Sequence, residues 1–257
     1  DFSQKLLSAK KPIIIIGESA LELKSGEYIF EEFKRFLIKN NLINENWNGL
    51  NILVQNASTV GLLDLKILQD KKEKSSSFFD DLKNRKFKLL YLLGSDNLEF
   101  QKNDEFIVYQ GSHGDRGAEI ADLILPSATY TEQNGLYENL EGRIQECKKA
   151  SYPIGEALVD WKIFNQIIKK LGFKDYKVNF DELRKEVLET APNFSGINEL
   201  PKKSVIKTNN IETSFFSEKI FVRELDYYYT NSISRSSKTM SECRQIRSKN
   251  KKNGTNN

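Results

Sequence analysis

The sequence predicts an α/β chain: a mostly parallel sheet with flanking helices, followed by an irregular to helical C-terminal extension. Three observations carry this reading. A β-branched run, Lys11-Pro12-Ile13-Ile14-Ile15-Ile16-Gly17, stops at a glycine, the pattern of a strand buried on both faces that ends in a turn. Short apolar runs recur at Asn51 to Gln55, Phe87 to Leu93, Phe106 to Tyr109 and Leu123 to Leu125, each followed by polar or turn-forming residues. Helical or loop material separates most of them, which is the arrangement of βαβ units.

The elements follow in order. After the first strand, Ile29, Phe30, Phe33, Phe36 and Leu37 recur at helical spacing with Glu31, Glu32, Lys34 and Arg35 between them, so an amphipathic helix runs from about Glu27 to Lys39. Residues 71–77 form a polar loop. Trp161, Phe164, Ile167, Ile168 and Leu171 make a second amphipathic helix, and Gly172 ends it as a C-cap glycine does. Beyond Tyr176 the pattern weakens to a helix from Phe180 to Glu189, a polar connector from Pro192 to about Thr213 and an extended stretch from Glu218 to Tyr229. Composition reads 241–257 as disordered. The division that results is an α/β domain over 1–175, a helical and extended extension over 176–230, and a basic, partly disordered tail over 231–257.

Composition narrows the function classes. The 257 residues carry 39 Lys+Arg against 36 Asp+Glu, a net +3 that is too balanced to mark a nucleic-acid binder. From Thr230 onward seven basic residues stand against Glu242 alone, so the body is slightly acidic and the tail basic, as a solvated chain end commonly is. Two separated cysteines, Cys147 and Cys243, and the single His113 are too few for an iron–sulfur cluster or a structural zinc held by this chain alone. They also make no disulfide framework. The longest apolar run, Pro12 to Ile16, is far shorter than the roughly 20 residues of a membrane span. The chain opens on Asp1, which reads as a processed product or a piece of something longer.

In an open parallel sheet, ligands bind outside the carboxyl ends of the strands, so the post-strand loops hold the candidate site residues. They are Gly17-Glu18-Ser19, Gly94-Ser95-Asp96-Asn97 and Gly111-Ser112-His113-Gly114-Asp115-Arg116-Gly117. Glycines there let a backbone approach a phosphate or a pterin, or they simply end strands in tight turns; the second reading is the commoner one. Gly17 followed by Glu18 lacks the glycine-rich fingerprint of a dinucleotide site, and a carboxylate is a poor neighbour for a phosphate. With no identifiable partner, His113 reads as a turn or interface residue before it reads as a general base. Between Thr129 and Gln145, Glu132, Glu141 and Arg143 sit among turn residues, where charge-assisted hydrogen bonds pin irregular backbone; the same groups could serve as acid and base, and the structural reading is favoured.

Several of these segments carry a resemblance. Tyr109-Gln110-Gly111-Ser112-His113-Gly114-Asp115, Ala121-Asp122-Leu123-Ile124-Leu125-Pro126, Tyr130-Thr131-Glu132 with Gly135 and Asn139, and Glu141-Gly142-Arg143 with Gln145 resemble the C-terminal part of the largest iron–sulfur (75 kDa) subunit family of respiratory complex I. The similarity extends back to Lys11-Pro12 and Gly17 and forward through Asp160-Trp161-Lys162-Ile163 to Tyr228-Tyr229-Thr230-Asn231-Ser232-Ile233-Ser234-Arg235, Thr239-Met240 and Cys243. The Ala-Asp-x-x-Leu-Pro and Glu-Gly-Arg-x-Gln elements are shared with molybdopterin oxidoreductases at large. The Tyr-Gln-Gly-x-His-Gly-Asp loop and the Ser-Ile-Ser-Arg end look like the complex I branch, its mitochondrial members in particular.

The resemblance implies a Rossmann-like domain of molybdopterin oxidoreductase type that no longer holds its cofactor. It implies a non-catalytic structural segment on the matrix side of the mitochondrial inner membrane, in the peripheral arm. Expected partners are other peripheral-arm subunits, including the N-terminal iron–sulfur part of the same subunit, on the same or a separate polypeptide, with no nucleic acid and no membrane span. FMN and the iron–sulfur clusters would sit elsewhere in the complex, leaving Gly17, Gly94, Gly111, His113, Gly114 and Asp115 as remnants of an ancestral pocket. Phe215, Phe216, Phe221 and Tyr227 to Tyr229 are apolar enough for docking surfaces or for packing within the domain. The competing readings are the C-terminal piece of an active molybdopterin-dependent oxidoreductase and, less favoured, a nucleotide-binding module.

Overall fold

A computed structural model describes residues 2–67, 78–95, 98, 100–177, 179–201, 213–219 and 226–252. The predicted loop at 71–77, Asp96, Asn97, Phe221 and most of the polar connector lie outside the described residues. In chain order the elements are α1 (Phe2–Ser8), β1 (Ile14–Gly17), α2 (Glu18–Leu21), α3 (Gly26–Lys39), β2 (Ile43–Asn44), β3 (Trp47–Asn48), β4 (Leu50–Leu53), α4 (Thr59–Asp64), α5 (Phe78–Lys83), β5 (Leu89–Leu93) and β6 (Phe106–Gly111). They continue with α6 (Arg116–Ile120), β7 (Leu123–Pro126), β8 (Gly135–Glu138), β9 (Ile144–Cys147), α7 (Asp160–Lys170), α8 (Phe180–Thr190), a 3₁₀ turn (Pro192–Ser195), α9 (Ser232–Ser236) and α10 (Lys238–Lys252). The fold is α/β with parallel sheets flanked by helices, as predicted.

The chain forms two compact units, one of Asp1–Gln69, Leu136–Glu146 and Leu183–Val222, the other of Asp70–Gly135, Cys147–Glu182 and Arg223–Asn257. In the first unit β1 and β4 run parallel, with Ile14 opposite Leu50 and Ile16 opposite Ile52. Their inner face meets α3: Ile16, Leu37, Leu42, Ile43 and Leu50 are buried together, with Phe30 and Leu21 packed against them. Each such side chain contributes about 1.5–3 kcal/mol by leaving water. A second cluster, Ile144, Ala191 and Phe194, joins the β8–β9 hairpin to α8 and the 3₁₀ turn.

The first strand departs from its expectation. Ile13 and Ile15 are 59% and 63% exposed, because the two-stranded pair is covered on one face only. The run therefore alternates, with Ile16 inward and Ile15 outward, instead of being buried on both faces.

In the second unit β5, β6 and β7 form a parallel sheet in that order, with Leu92 opposite Tyr109 and Tyr109 opposite Ile124. Leu82, Leu90, Leu92, Ile107 and Tyr109 make its core. Helix α7 stops where predicted: Gly172 takes φ +83°, and the amides of Gly172 and Phe173 bond back to Lys169 O and Ile168 O, satisfying carbonyls the helix leaves open. Composition failed at the C-terminus, since Lys238–Lys252 is the helix α10. Arg244 and Arg247 stack on the rings of Tyr229 and Tyr227, and Arg244 also bonds Asp226 at 2.5 Å. The solvated charge run thus has an aromatic footing that a residue count does not reveal.

Candidate functional site

Each parallel sheet ends in loops where a ligand would sit, and the two ends are finished differently. In the second unit, Gly111, His113, Gly114 and Asp115 share the loop from β6 to α6, and Gly94 closes β5, its amide bonded to Gln110 O. Gly94 takes φ +62°, a conformation that few side chains adopt, so the turn alone accounts for a glycine there.

Gly111 has a different reason. The ring of Tyr109 folds back beneath it: a Cβ at Gly111 would lie 2.1 Å from the Tyr109 hydroxyl, and one at Gly117 would lie 2.9 Å from the same ring. Tyr109 is 2% exposed and its hydroxyl donates to His113 O at 2.8 Å. These two glycines leave room for the protein's own tyrosine ring. His113 itself has Ser112 Oγ at 2.9 Å from Nδ1, a contact between neighbours in an exposed turn.

Asp115 is held from two sides. It caps α6 by accepting from Arg116 N at 2.8 Å, and its other oxygen accepts from Arg235 Nε at 2.7 Å. Arg235 is positioned by a capping box: Asn231 Oδ1 accepts from Ser234 N at 2.9 Å while Asn231 N donates to Ser234 Oγ at 3.0 Å. The Asn-Ser-Ile-Ser-Arg segment is therefore a short self-capped helix that delivers one guanidinium to the loop.

Beneath this loop lies a polar network that motif reading did not resolve. Gln110 is fully buried; its amide donates to Asp160 Oδ1 at 2.7 Å, and Gln133 donates to Asp160 Oδ2 at 2.9 Å. Tyr91 donates to Gln110 Oε1 and stacks on Phe164 with centroids 5.6 Å apart. Burial, then the Asp160 charge, raise the Tyr91 phenol above its usual value. The network ties β5, β6 and α7 together through groups that would be costly if left unpaired.

In the first unit, Gly17 ends β1, and a Cβ there would meet only Ser19 Oγ, at 3.8 Å. Glu18 reaches the loop after β4, where its carboxylate accepts from Gln55 N at 2.6 Å. A backbone amide of the kind a phosphate needs is taken by the chain's own acid. Across the same loop from Val54 to Ala57 lies a cleft of about 430 Å³, bounded by Val60, Tyr137, Glu138 and Leu140. Glu138 is 5% exposed, and its carboxyl is pushed up to about 7 by burial first, then by the charge of Asp64 and a hydrogen bond with it. Asn193 donates to Asp64.

The turn of the β8–β9 hairpin is held by side-chain bonds to its own backbone. Asn139 Oδ1 accepts from Glu141 N at 2.9 Å and Arg143 N at 3.0 Å, Gly142 takes φ +78°, and Arg143 donates to Asn198 O at 2.6 Å. Glu132 belongs to the other unit and accepts from Thr129 N at 3.1 Å, so Glu132 and Glu141 serve separate backbones. Among the described residues no three His, Cys, Asp or Glu side chains gather as a metal site, and no helix is long and apolar enough to cross a membrane.

Comparison with known proteins adds lineage to this geometry. The molybdopterin oxidoreductase family model matches residues 1–170, and that for the C-terminal region of the G-type subunit of NADH-ubiquinone oxidoreductase matches 191–243. The chain is 38% identical over 250 residues to the NADH-ubiquinone oxidoreductase 75 kDa subunit of Reclinomonas americana, covering 95% of this chain and 36% of that protein. It is 36% identical to the mitochondrial NADH-ubiquinone oxidoreductase 78 kDa subunit of Neurospora crassa (95% and 33% covered) and 36% identical to the mitochondrial 78 kDa subunit of Candida albicans (93% and 34%). The chain spans about a third of the length of these relatives.

Proposed function

The chain belongs to the molybdopterin oxidoreductase family, and on that premise we propose that it is a structural segment of the peripheral, matrix-side arm of respiratory complex I. It supports electron transfer from NADH to ubiquinone without carrying a cofactor, while FMN and the iron–sulfur clusters sit on other parts of the assembly. Its partners are peripheral-arm polypeptides, first among them the part bearing the N-terminal clusters. Gly94, Gly111, His113, Gly114 and Asp115 are remnants of an ancestral pocket edge in the second unit, and Gly17 is a separate remnant in the first, none with a catalytic role.

The single observation that carries this reading is the end of β6. Tyr109 fills the cradle beneath Gly111, and the Arg235 guanidinium is paired with Asp115. The space beneath Gly111 and Gly117 holds the protein's own ring, which supports a loop that packs without a pterin there. A second reading, a piece of an active molybdopterin-dependent oxidoreductase, draws on the open space at Gly94 and Gly114, where an added Cβ meets nothing within 4 Å.

One experiment separates the two. Solubilised mitochondrial membranes are run on a native gel stained for NADH dehydrogenase activity, and peptides of this chain are located by mass spectrometry. Co-migration with the large active band is expected. Migration elsewhere, together with stoichiometric molybdenum in the species that contains the chain, overturns the structural role and establishes the second reading.

A further inference from the structure

We propose that the outer face of the β1–β4 pair is a docking surface for the part of the subunit that this chain does not span, seated as a further parallel strand with its crossover helix. The surface is read from the first unit alone, and the choice of partner rests on the complex I reading. Ile13, Ile15 and Leu53 are each more than half exposed. They share one face, since Ile15 lies opposite Asn51 and Leu53 opposite Gly17, with side chains alternating along each strand. Ile16, Leu37 and Leu50 fill the other face. Parallel sheets are covered on both faces and commonly run to four strands or more, whereas among the described residues this one has two strands and one cover.

Three features of the pair choose its occupant. The crossover from β1 to β4 carries α3, which is spent on the inner face, so a helix for the outer face belongs to strands wound the other way. Among the described residues β1 pairs with β4 alone, which leaves its second edge with backbone donors and acceptors that another strand can take. A lipid surface would cover the isoleucines but leave that edge unpaired in hydrocarbon. A second copy of the chain offers only the same three side chains, far short of the roughly 800 Å² that a stable interface buries on each partner. The relatives supply the length: each is matched over about a third, so about two-thirds of the subunit remains to provide a strand and a helix.

The test is photo-cross-linking in the native assembly, with p-benzoylphenylalanine in place of Ile15 or Leu53. Cross-links are expected to peptides that match the other two-thirds of the 75 kDa relative, joined to this chain or separate from it. Cross-links only to a second copy, only to polypeptides outside the subunit, or none at all overturn the proposal. Ile15→Lys should leave the urea midpoint of the full chain unchanged, because the side chain is exposed there, yet lower its incorporation into the assembly at least about tenfold. Ile15→Val should incorporate normally, and equal incorporation of the lysine variant refutes the surface. Amide exchange needs no variant: exchange at 13–17 should be at least about tenfold slower in the assembly than in the full chain alone, as a strand on the free edge requires. A chain that runs with the active band while β1 exchanges as fast as in isolation overturns this surface and leaves the complex I role standing. A chain that runs elsewhere but cross-links to the rest of its subunit overturns that role and keeps the surface.

Discussion

At the carboxyl end of β6 the loop is closed from within: Tyr109 lies under Gly111 and Gly117, and Arg235 neutralises Asp115. At the carboxyl end of β4 the closure is partial, since Glu18 takes the Gln55 amide but a cleft of about 430 Å³ remains across the loop. The same topological position is therefore self-satisfied in one unit and open in the other. The difference teaches that a glycine after a parallel strand does not by itself signal a ligand. What matters is whether the space it clears is already filled, and by what.

The strongest way to break this contrast is to add one methyl group at each edge. In Gly111→Ala the new Cβ lies 2.1 Å from the Tyr109 hydroxyl and 2.3 Å from its ring carbon, so the ring must leave its seat and give up the bond to His113 O. A loss of about 3–4 kcal/mol in urea unfolding is expected, overpacking plus one hydrogen bond, with most of the overpacking part recovered by adding Tyr109→Leu. Gly17→Ala, whose Cβ would meet only Ser19 Oγ at 3.8 Å, should stay within about 0.5 kcal/mol of the parent. Equal costs at the two glycines would sink the idea that the edges are finished differently.

A smaller effect comes from the open edge. Folding raises the Glu138 carboxyl from an ordinary 4.5 to about 7, so the folded state holds a proton that the unfolded chain releases. Stability is therefore unaffected by this group below about pH 4.5, falls as pH rises toward 7 and stays low above it, by about 2–3 kcal/mol. Urea midpoints at pH 5 and pH 8 measure it. Glu138→Gln should flatten the profile and be the more stable protein at pH 8; a parent profile that rises with pH across this window refutes the assignment.

How much of this was legible beforehand differs by element. Helix α3, strand β6 and the Gly172 cap follow from local periodicity and backbone chemistry, and the structure places them within a residue or two of expectation. Burial of β1 was misread because a run of four isoleucines looks the same whether one face or both are covered, and the covering element is remote in sequence. Helix α10 was missed because its aromatic support comes from Tyr227 and Tyr229, outside the window that composition scores. At the site, the loop glycines were found, but Tyr109 read as an ordinary strand residue, and only its fold-back onto Gly111 reveals the plug. Glu138 carried no signal, since an acid in a hairpin is unremarkable until Asp64, 74 positions earlier in the sequence, is placed beside it.

The smallest expected effect sharpens the closed edge. The Arg235 and Asp115 side chains are 15% and 34% exposed, a partly solvated pair that falls between the weak ion pairs of open surfaces and the costly ones of interiors. Arg235→Ala should cost about 1 kcal/mol, and less at high salt. Asp115 keeps its bond from Arg116 N in that variant, so α6 itself should hold while amide exchange quickens at Ser232–Ser236, where the guanidinium anchors an otherwise short helix. Arg235→Lys should recover only part of the loss, since a flexible ammonium does not reproduce the fixed Nε donor at 2.7 Å. A double-mutant cycle with Asp115→Asn isolates the pair, with a coupling of about 0.5–1 kcal/mol expected. A coupling near zero would mean that α9 rests beside the loop without closing it, and Tyr109 alone would then distinguish the filled edge from the open one.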